Sequence, residues 1–213
     1  MSIDYKREAS SLLERAGSSR FILGIVGPPG AGKSTIAEAL YEQLEEIAPQ
    51  RSIIVPMDGF HLDDATLKEM GLHHLKGIPD TFDAEGFISL LTSIRQASLD
   101  NATPNIPVPL FDRAIESTIQ NGRFVRPSHQ IILVEGNYLL LNRPPWHKIR
   151  QLCDETWYLD VPENVLTPRL IDRHMDGGKS HADAVEKANM TDLPNARLVN
   201  QSKHHATRIW SDF

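Results

Sequence analysis

Gly27-Pro28-Pro29-Gly30-Ala31-Gly32-Lys33-Ser34 follows the spacing G-x-x-x-x-G-K-S, and each fixed position has a chemical reason. Glycines let the backbone wrap closely around a phosphate and aim its N–H groups at the oxygens, and the positive end of a following helix adds to the attraction. Lys33 can reach the β- and γ-phosphates, and the Ser34 hydroxyl can ligate Mg²⁺. Gly27, Gly30, Ala31, Gly32, Lys33, Ser34 and Thr35 are therefore the expected nucleotide-binding residues. A glycine turn that meets a lysine by chance is the plain alternative. The flanking elements argue against it and predict that the chain binds a nucleoside triphosphate.

Those elements are legible. Residues 21–26 form a short apolar run suited to a buried strand, and Ile36, Ala37, Leu40, Leu44 and Ile47 recur at helical spacing after the loop. Residues 4–16 predict an amphipathic helix that ends at Gly17, and residues 51–57 a second strand around Ile53-Ile54-Val55. Residues 84–97 place Phe87, Leu90, Leu91 and Ile94 on one helical face. Residues 108–111 and 123–125 suggest a hairpin-like insertion, and residues 130–134 and 156–161 two more apolar strands. A helix is expected from Pro162 towards Met175, kinked or divided by Pro168, then another over 180–190 ahead of a turn at Leu193-Pro194-Asn195, and a last strand at 206–210. Strands alternating with helices predict an α/β fold: a parallel sheet in a three-layer α/β/α arrangement, one domain over residues 1–213, with a small helical lid at about 165–190.

Ligands of such sheets bind beyond the carboxyl ends of the strands, so the residues that follow strands carry the function. Met57-Asp58-Gly59-Phe60 follows the second strand and Val134-Glu135-Gly136-Asn137 ends the strand at 130–134. Two carboxylates converging on a bound Mg-nucleotide divide naturally: one holds the metal or its waters, the other takes a proton from an attacking hydroxyl. Asp58, with Gly59 beside it, has the open space a substrate needs, although an acidic residue after a strand also serves as a helix cap or turn.

Composition narrows the partners. The chain has 213 residues and a formal charge of −6, which argues against nucleic acid or an anionic membrane surface. It has no apolar stretch of the ~18 residues that a membrane span needs, and its polar N-terminal residues do not read as a secretory signal. The one cysteine, Cys153, cannot form an internal disulfide, so a cytosolic home is expected. The nine histidines lack the H-x-x-x-H spacing of a zinc site, and adjacent pairs such as His73-His74 point in different directions. His61 is the one kept as a substrate contact, because it adjoins Asp58.

Taken in order, the loop, Met57-Asp58-Gly59-Phe60-His61, Lys76-Gly77-Ile78-Pro79-Asp80-Thr81-Phe82-Asp83 and Val134-Glu135-Gly136-Asn137-Tyr138 resemble the phosphoribulokinase/uridine kinase family of P-loop kinases. Val108-Pro109-Leu110-Phe111-Asp112-Arg113 and Asp192-Leu193-Pro194-Asn195 are similar to segments of bacterial kinases tied to fructose uptake, often labelled fructokinase-like, and the resemblance spans roughly residues 20–212. Bacterial pantothenate kinases share a similar Asp-Gly-Phe and Lys-Gly-x-Pro. The resemblance implies Asp58 as general base, Glu135 as the acidic residue near Mg²⁺, and Arg169 and Arg173 as lid arginines over the phosphates. It implies Lys76, Asp80 and Asp83 on the acceptor side, with Phe111, Asp112 and Arg113 where uridine kinases contact their base, and Asn195 beside the adenine. The activity implied is transfer of the γ-phosphoryl of ATP, with Mg²⁺, to a hydroxyl of a small metabolite.

The departures rank the acceptors. The histidine that uridine kinases carry after their Pro-x-Tyr-Asp segment is replaced here by Arg113-Ala114-Ile115-Glu116, and the additional substrate-covering segments of pantothenate kinases are absent. A sugar such as fructose is the first expectation, with uridine or pantothenate as alternatives. A regulatory nucleotide switch would need a guanine-reading Asn-Lys-x-Asp, which the sequence lacks. A nucleoside monophosphate kinase would need an arginine-rich acceptor pocket instead of a base such as Asp58.

Overall fold

The computed structural model describes residues 3–100, 102–112 and 117–211. Helix α1, Tyr5–Ala16, starts where the Asp4 carboxylate accepts from the Arg7 amide at 3.1 Å and stops at Gly17. Strand β1, Phe21–Val26, leads through the glycine-rich loop into α2, Lys33–Ile47, and then β2, Ser52–Pro56. Helices α3, Asp64–Glu69, and α4, Ala84–Gln96, precede a hairpin of β3, Ile106–Asp112, and β4, Ser117–Val125. The chain continues through β5, Ile131–Gly136, and β6, Glu155–Leu159, to helices α5, Glu163–Asp176, α6, His181–Lys187, and α7, Leu193–Asn200. A short strand β7, Arg208–Trp210, ends it.

The main sheet has five parallel strands in the order β2-β5-β1-β6-β7, and β3-β4 is a separate antiparallel pair. Strand β5 is buried at every position because both of its faces are covered: Ile131 and Leu133 pack with α1 and α2, Ile132 and Val134 with α4. This is the expected three-layer α/β/α arrangement. Its use for the site is geometric. Parallel strands end on one edge, so the phosphate loop, Asp58 and Glu135 arrive there together.

Two expectations for the C-terminal half are corrected. Helix α5 runs undivided through Pro168. The proline is the sixth helical residue, so the partner it withholds is that of the Asn164 carbonyl in the first turn, and the neighbouring Glu163 carbonyl is taken by the Thr167 hydroxyl at 2.7 Å. Leu193-Pro194-Asn195 is no turn. After α6 the chain makes a π-helical turn, Ala188–Asp192, and continues directly into α7, so Pro194 lies within a continuous helical run next to that π-turn. Both hairpin strands are also longer than their apolar residues suggested, because most of β4 is exposed and offers no burial pattern.

Candidate active site

The phosphate loop is built by backbone conformation. Gly30 and Gly32 have φ of 78° and 89°, which a side chain would oppose, and Gly32 is the residue from which α2 starts. The Ala31 amide donates to the Pro28 carbonyl at 3.1 Å and closes the turn. Lys33 is buried, its ammonium donating to the same Pro28 carbonyl at 3.0 Å, so the charge is held at the loop's centre. Ser34 and Thr35 are exposed on the first turn of α2, beside the loop, as nucleotide ligands must be.

Register brings the acidic residues alongside. Glu135 pairs with Ile25 of β1 and Pro56 of β2, so it sits between the loop and Asp58, which lies two residues beyond Pro56. Ser34 Oγ donates to Glu135 Oε1 at 3.2 Å. A hydroxyl and a carboxylate at that separation are hard oxygen donors of the kind that Mg²⁺ takes. The pair fits the ion. Among the described residues no group of three His, Cys, Asp or Glu could hold a metal ion.

Asp58 is half-buried in the 3-10 turn Met57–Phe60. Gly59 borders a cavity, but the place of its missing side chain is taken by the hairpin. A Cβ there would lie 2.0 Å from the carbonyl oxygen of Pro109, so the missing side chain admits the hairpin backbone against the Asp58 turn. His61 turns towards the backbone: its Nδ1 is 2.8 Å from the Asp58 carbonyl oxygen, and its ring packs on Phe82 at 4.0 Å and Phe111 at 4.8 Å. A cavity of about 460 Å³ opens here, starting at Gly59 and lined by His61, Asp63, Asp64, Phe111 and the hairpin residues Ser117, Thr118 and Gln120.

Lys76 borders this region, with its ammonium 5.3 Å from the Phe111 ring centre and 2.7 Å from Asp64 Oδ1, an ion pair that holds the Asp64 carboxyl below its usual range. The other expected acceptor residues divide. Asp83 also lines the cavity, but its Oδ1 accepts from the Gly86 amide at 2.9 Å as the cap of α4. Asp80 is exposed and paired with Arg143 at 2.8 Å. Asp112 pairs across the hairpin with Ser117, and Arg113 lies outside the described residues. Asn195, expected beside the adenine, is buried, and its amide donates to the Gly77 carbonyl at 3.1 Å, next to Lys76.

Arg169 and Arg173, four residues apart, lie on one face of α5. Arg169 reaches the Gly30 carbonyl at 3.5 Å, at the phosphate loop itself. Arg173 meets Asp192 Oδ1 at 3.4 Å, and the other carboxylate oxygen of Asp192 lies 2.6 Å from His174 Nε2. The sequence showed no role for Asp192, whose buried carboxylate lies between Arg173 and His174. It also missed Tyr138, fully buried, with its hydroxyl donating to Gly77; burial, then the Asp192 and Asp58 charges, push its ionisation upward and keep it a donor. Cys153 is partly exposed as a residue, but its thiol is enclosed against Gly24 and burial pushes it up to about 12, which leaves no thiolate for catalysis. A smaller cavity of about 230 Å³ lies beyond β6, between Pro28, Val161, Leu166 and Ala196, and none of the expected acceptor residues lines it.

No family model matches the chain. It is 33% identical over 190 residues to the Schizosaccharomyces pombe protein named "Putative uridine kinase", over 86% of this chain and 79% of that protein. It is 27% identical over 202 residues to an Enterobacter pantothenate kinase, over 90% of this chain and 61% of that protein. Among solved structures, the "putative fructose transport system kinase" of a Silicibacter species superposes with a TM-score of 0.87 and 35% identity, over 98% of this chain and 100% of that one.

Proposed function

Because the chain belongs to the phosphoribulokinase/uridine kinase family of P-loop kinases, and is thereby an ATP-dependent phosphotransferase, we propose that it phosphorylates a hydroxyl of a sugar, fructose first among candidates. In this reading Lys33 and the loop amides hold the β- and γ-phosphates, while Ser34 and Glu135 would hold Mg²⁺. The ion would supply positive charge against that of the phosphates. Asp58 accepts the proton as the acceptor oxygen bonds to the γ-phosphorus and the bond to the β-phosphate oxygen breaks, with ADP leaving. Arg169 and Arg173 close over the phosphates and exclude water, since an open site would hydrolyse ATP. The single chain is read as one domain with α5–α7 as its lid, working in the cytosol.

The observation that carries this reading is the convergence on one sheet edge. The Ser34–Glu135 contact stands beside the Asp58 turn, and the cavity begins one residue after Asp58. Its lining supports a sugar: hydroxyl, amide and carboxylate groups for many hydrogen bonds, and the Phe111 face for a ring's C–H side. The fructose assignment rests on the name of the Silicibacter protein, and uridine and pantothenate follow from the names of the other relatives.

The test is ADP release from Mg-ATP across sugars, nucleosides, nucleotides and pantothenate. A sugar that stimulates release at least about tenfold and is recovered phosphorylated supports the proposal. Stimulation by uridine or pantothenate alone would move the acceptor, and by nucleoside monophosphates alone would remove Asp58 as base. Steady hydrolysis that no acceptor changes would favour a nucleotide switch.

A further inference from the structure

The segment between α3 and α4 is pinned from across the molecule through its backbone. Lys187, on α6, donates to the Lys76 carbonyl at 3.0 Å; Asn195, on α7, donates to the Gly77 carbonyl at 3.1 Å, and the Tyr138 hydroxyl donates to that same oxygen. Two donors on one carbonyl use both of its lone pairs. Gly77 has φ of 112°, a conformation that side chains oppose, and a Cβ there would meet nothing, so it is the conformation that the glycine serves. Lys76 N donates to the His73 carbonyl and Gly77 N to Thr81 Oγ1 within the segment, and its C-terminal end bonds to the chain after the Asp58 turn, Leu62 N to the Thr81 carbonyl at 3.0 Å and Asp83 N to the Phe60 carbonyl at 2.8 Å. Its ties to more distant chain come from α6, α7 and β5's end through these carbonyls, and from the Asp80–Arg143 pair. Those two helices also flank Asp192, which holds Arg173 and His174 of α5.

We infer that Lys187 and Asn195 are positioning residues that fix the backbone of Lys76 and Gly77, so that the lid and the acceptor-side segment order as one unit when nucleotide binds. This rests on the reading of the loop as a nucleotide site and of α5–α7 as its lid. Nucleotide draws Arg169 and Arg173 towards the phosphates; Asp192 carries that shift to the chain bearing Asn195; Asn195 and Lys187 carry it to the segment whose Lys76 side chain lies on Phe111. The result is that nucleotide prepares the acceptor pocket without touching it.

Hydrogen–deuterium exchange reads this without a known acceptor. Saturating Mg²⁺ and a non-hydrolysable ATP analogue should slow exchange in the parent at residues 27–36 and also at 72–82. In Lys187→Met the protection at 27–36 should remain, while that at 72–82 falls to within about twofold of the nucleotide-free protein; Lys187→Arg, which keeps a donor, should restore it. Asn195→Ser is the second variant, with the same expected loss. Protection at 27–36 without any at 72–82 in the parent, or equal protection at 72–82 in parent and Lys187→Met, would overturn the inference alone. No protection at 27–36 in the parent would overturn the nucleotide-site reading and the inference with it.

Discussion

Gly59→Ala isolates the contact that joins the Asp58 turn to the hairpin. The added Cβ would lie 2.0 Å from the Pro109 oxygen and 2.6 Å from its carbonyl carbon, where an ordinary contact is at least 3.4 Å. Both atoms are backbone, so no rotamer relieves the clash, and the hairpin must retreat by about 1.4 Å or the turn must deform. Overpacking of this kind costs about 3 kcal/mol, which in a chain of this size lowers Tm by roughly 6–12 °C. A displacement of about 1 Å at a reacting group can cost 10²-fold in rate, so kcat/KM should fall by a similar factor. Thermal unfolding by circular dichroism and ADP release with the acceptor that the substrate panel identifies measure the two effects. A variant within about 2 °C of the parent in Tm and within about threefold in kcat/KM would show that β3 does not seat the Asp58 turn, and would refute the reasoning.

Lys33→Met keeps the side chain's stem and removes a buried ammonium. Nucleotide binding should weaken and turnover fall by at least about 10²-fold, with the Tm little changed; turnover near the parental rate would remove Lys33 from the phosphate site. His129 gives a pH signature outside the site. It is buried, its Nδ1 accepts from the Arg126 amide at 3.0 Å, and burial, then the charges of Arg126, Arg20 and Arg123, lower its pKa from 6.5 to about 4. The unfolded chain takes up the proton near 6.5 and the folded chain only near 4, so this contribution to stability is complete above pH 6.5 and is lost as pH falls towards 4. The loss approaches about 3 kcal/mol as an upper bound. Urea unfolding at stepped pH should show a shallower decline in His129→Gln than in the parent, and identical slopes would contradict the assignment.

The parts of the site that were legible are those set by local backbone geometry. The phosphate loop fixes its residue types over a few consecutive positions, and the strand before it and helix after it show in the apolar spacing. Glu135 and Asp58 were placed by one rule, that parallel strands end together. What was illegible depends on partners distant in sequence. The missing side chain of Gly59 looked like space until the hairpin, some fifty residues on, was seen to fill it. Asn195 shows its type in the sequence and not its direction, and its hydrogen bond reaches back 118 residues to Gly77. Asp83 sits three residues before Gly86, the spacing of a cap, and the capping reading of an acidic residue applied there. Pro168 was over-read because the cost of a helical proline depends on which carbonyl loses its partner, and here that carbonyl is in the first turn.

The central claim is that Asp58 removes the proton from an acceptor hydroxyl while the loop holds ATP. Its most direct test is transfer of label from γ-labelled ATP to the acceptor by the parent and by Asp58→Asn, with nucleotide affinity measured on both. The account predicts ATP affinity within about twofold and label transfer reduced by at least about 10²-fold. Label transfer by Asp58→Asn at the parental rate would contradict it.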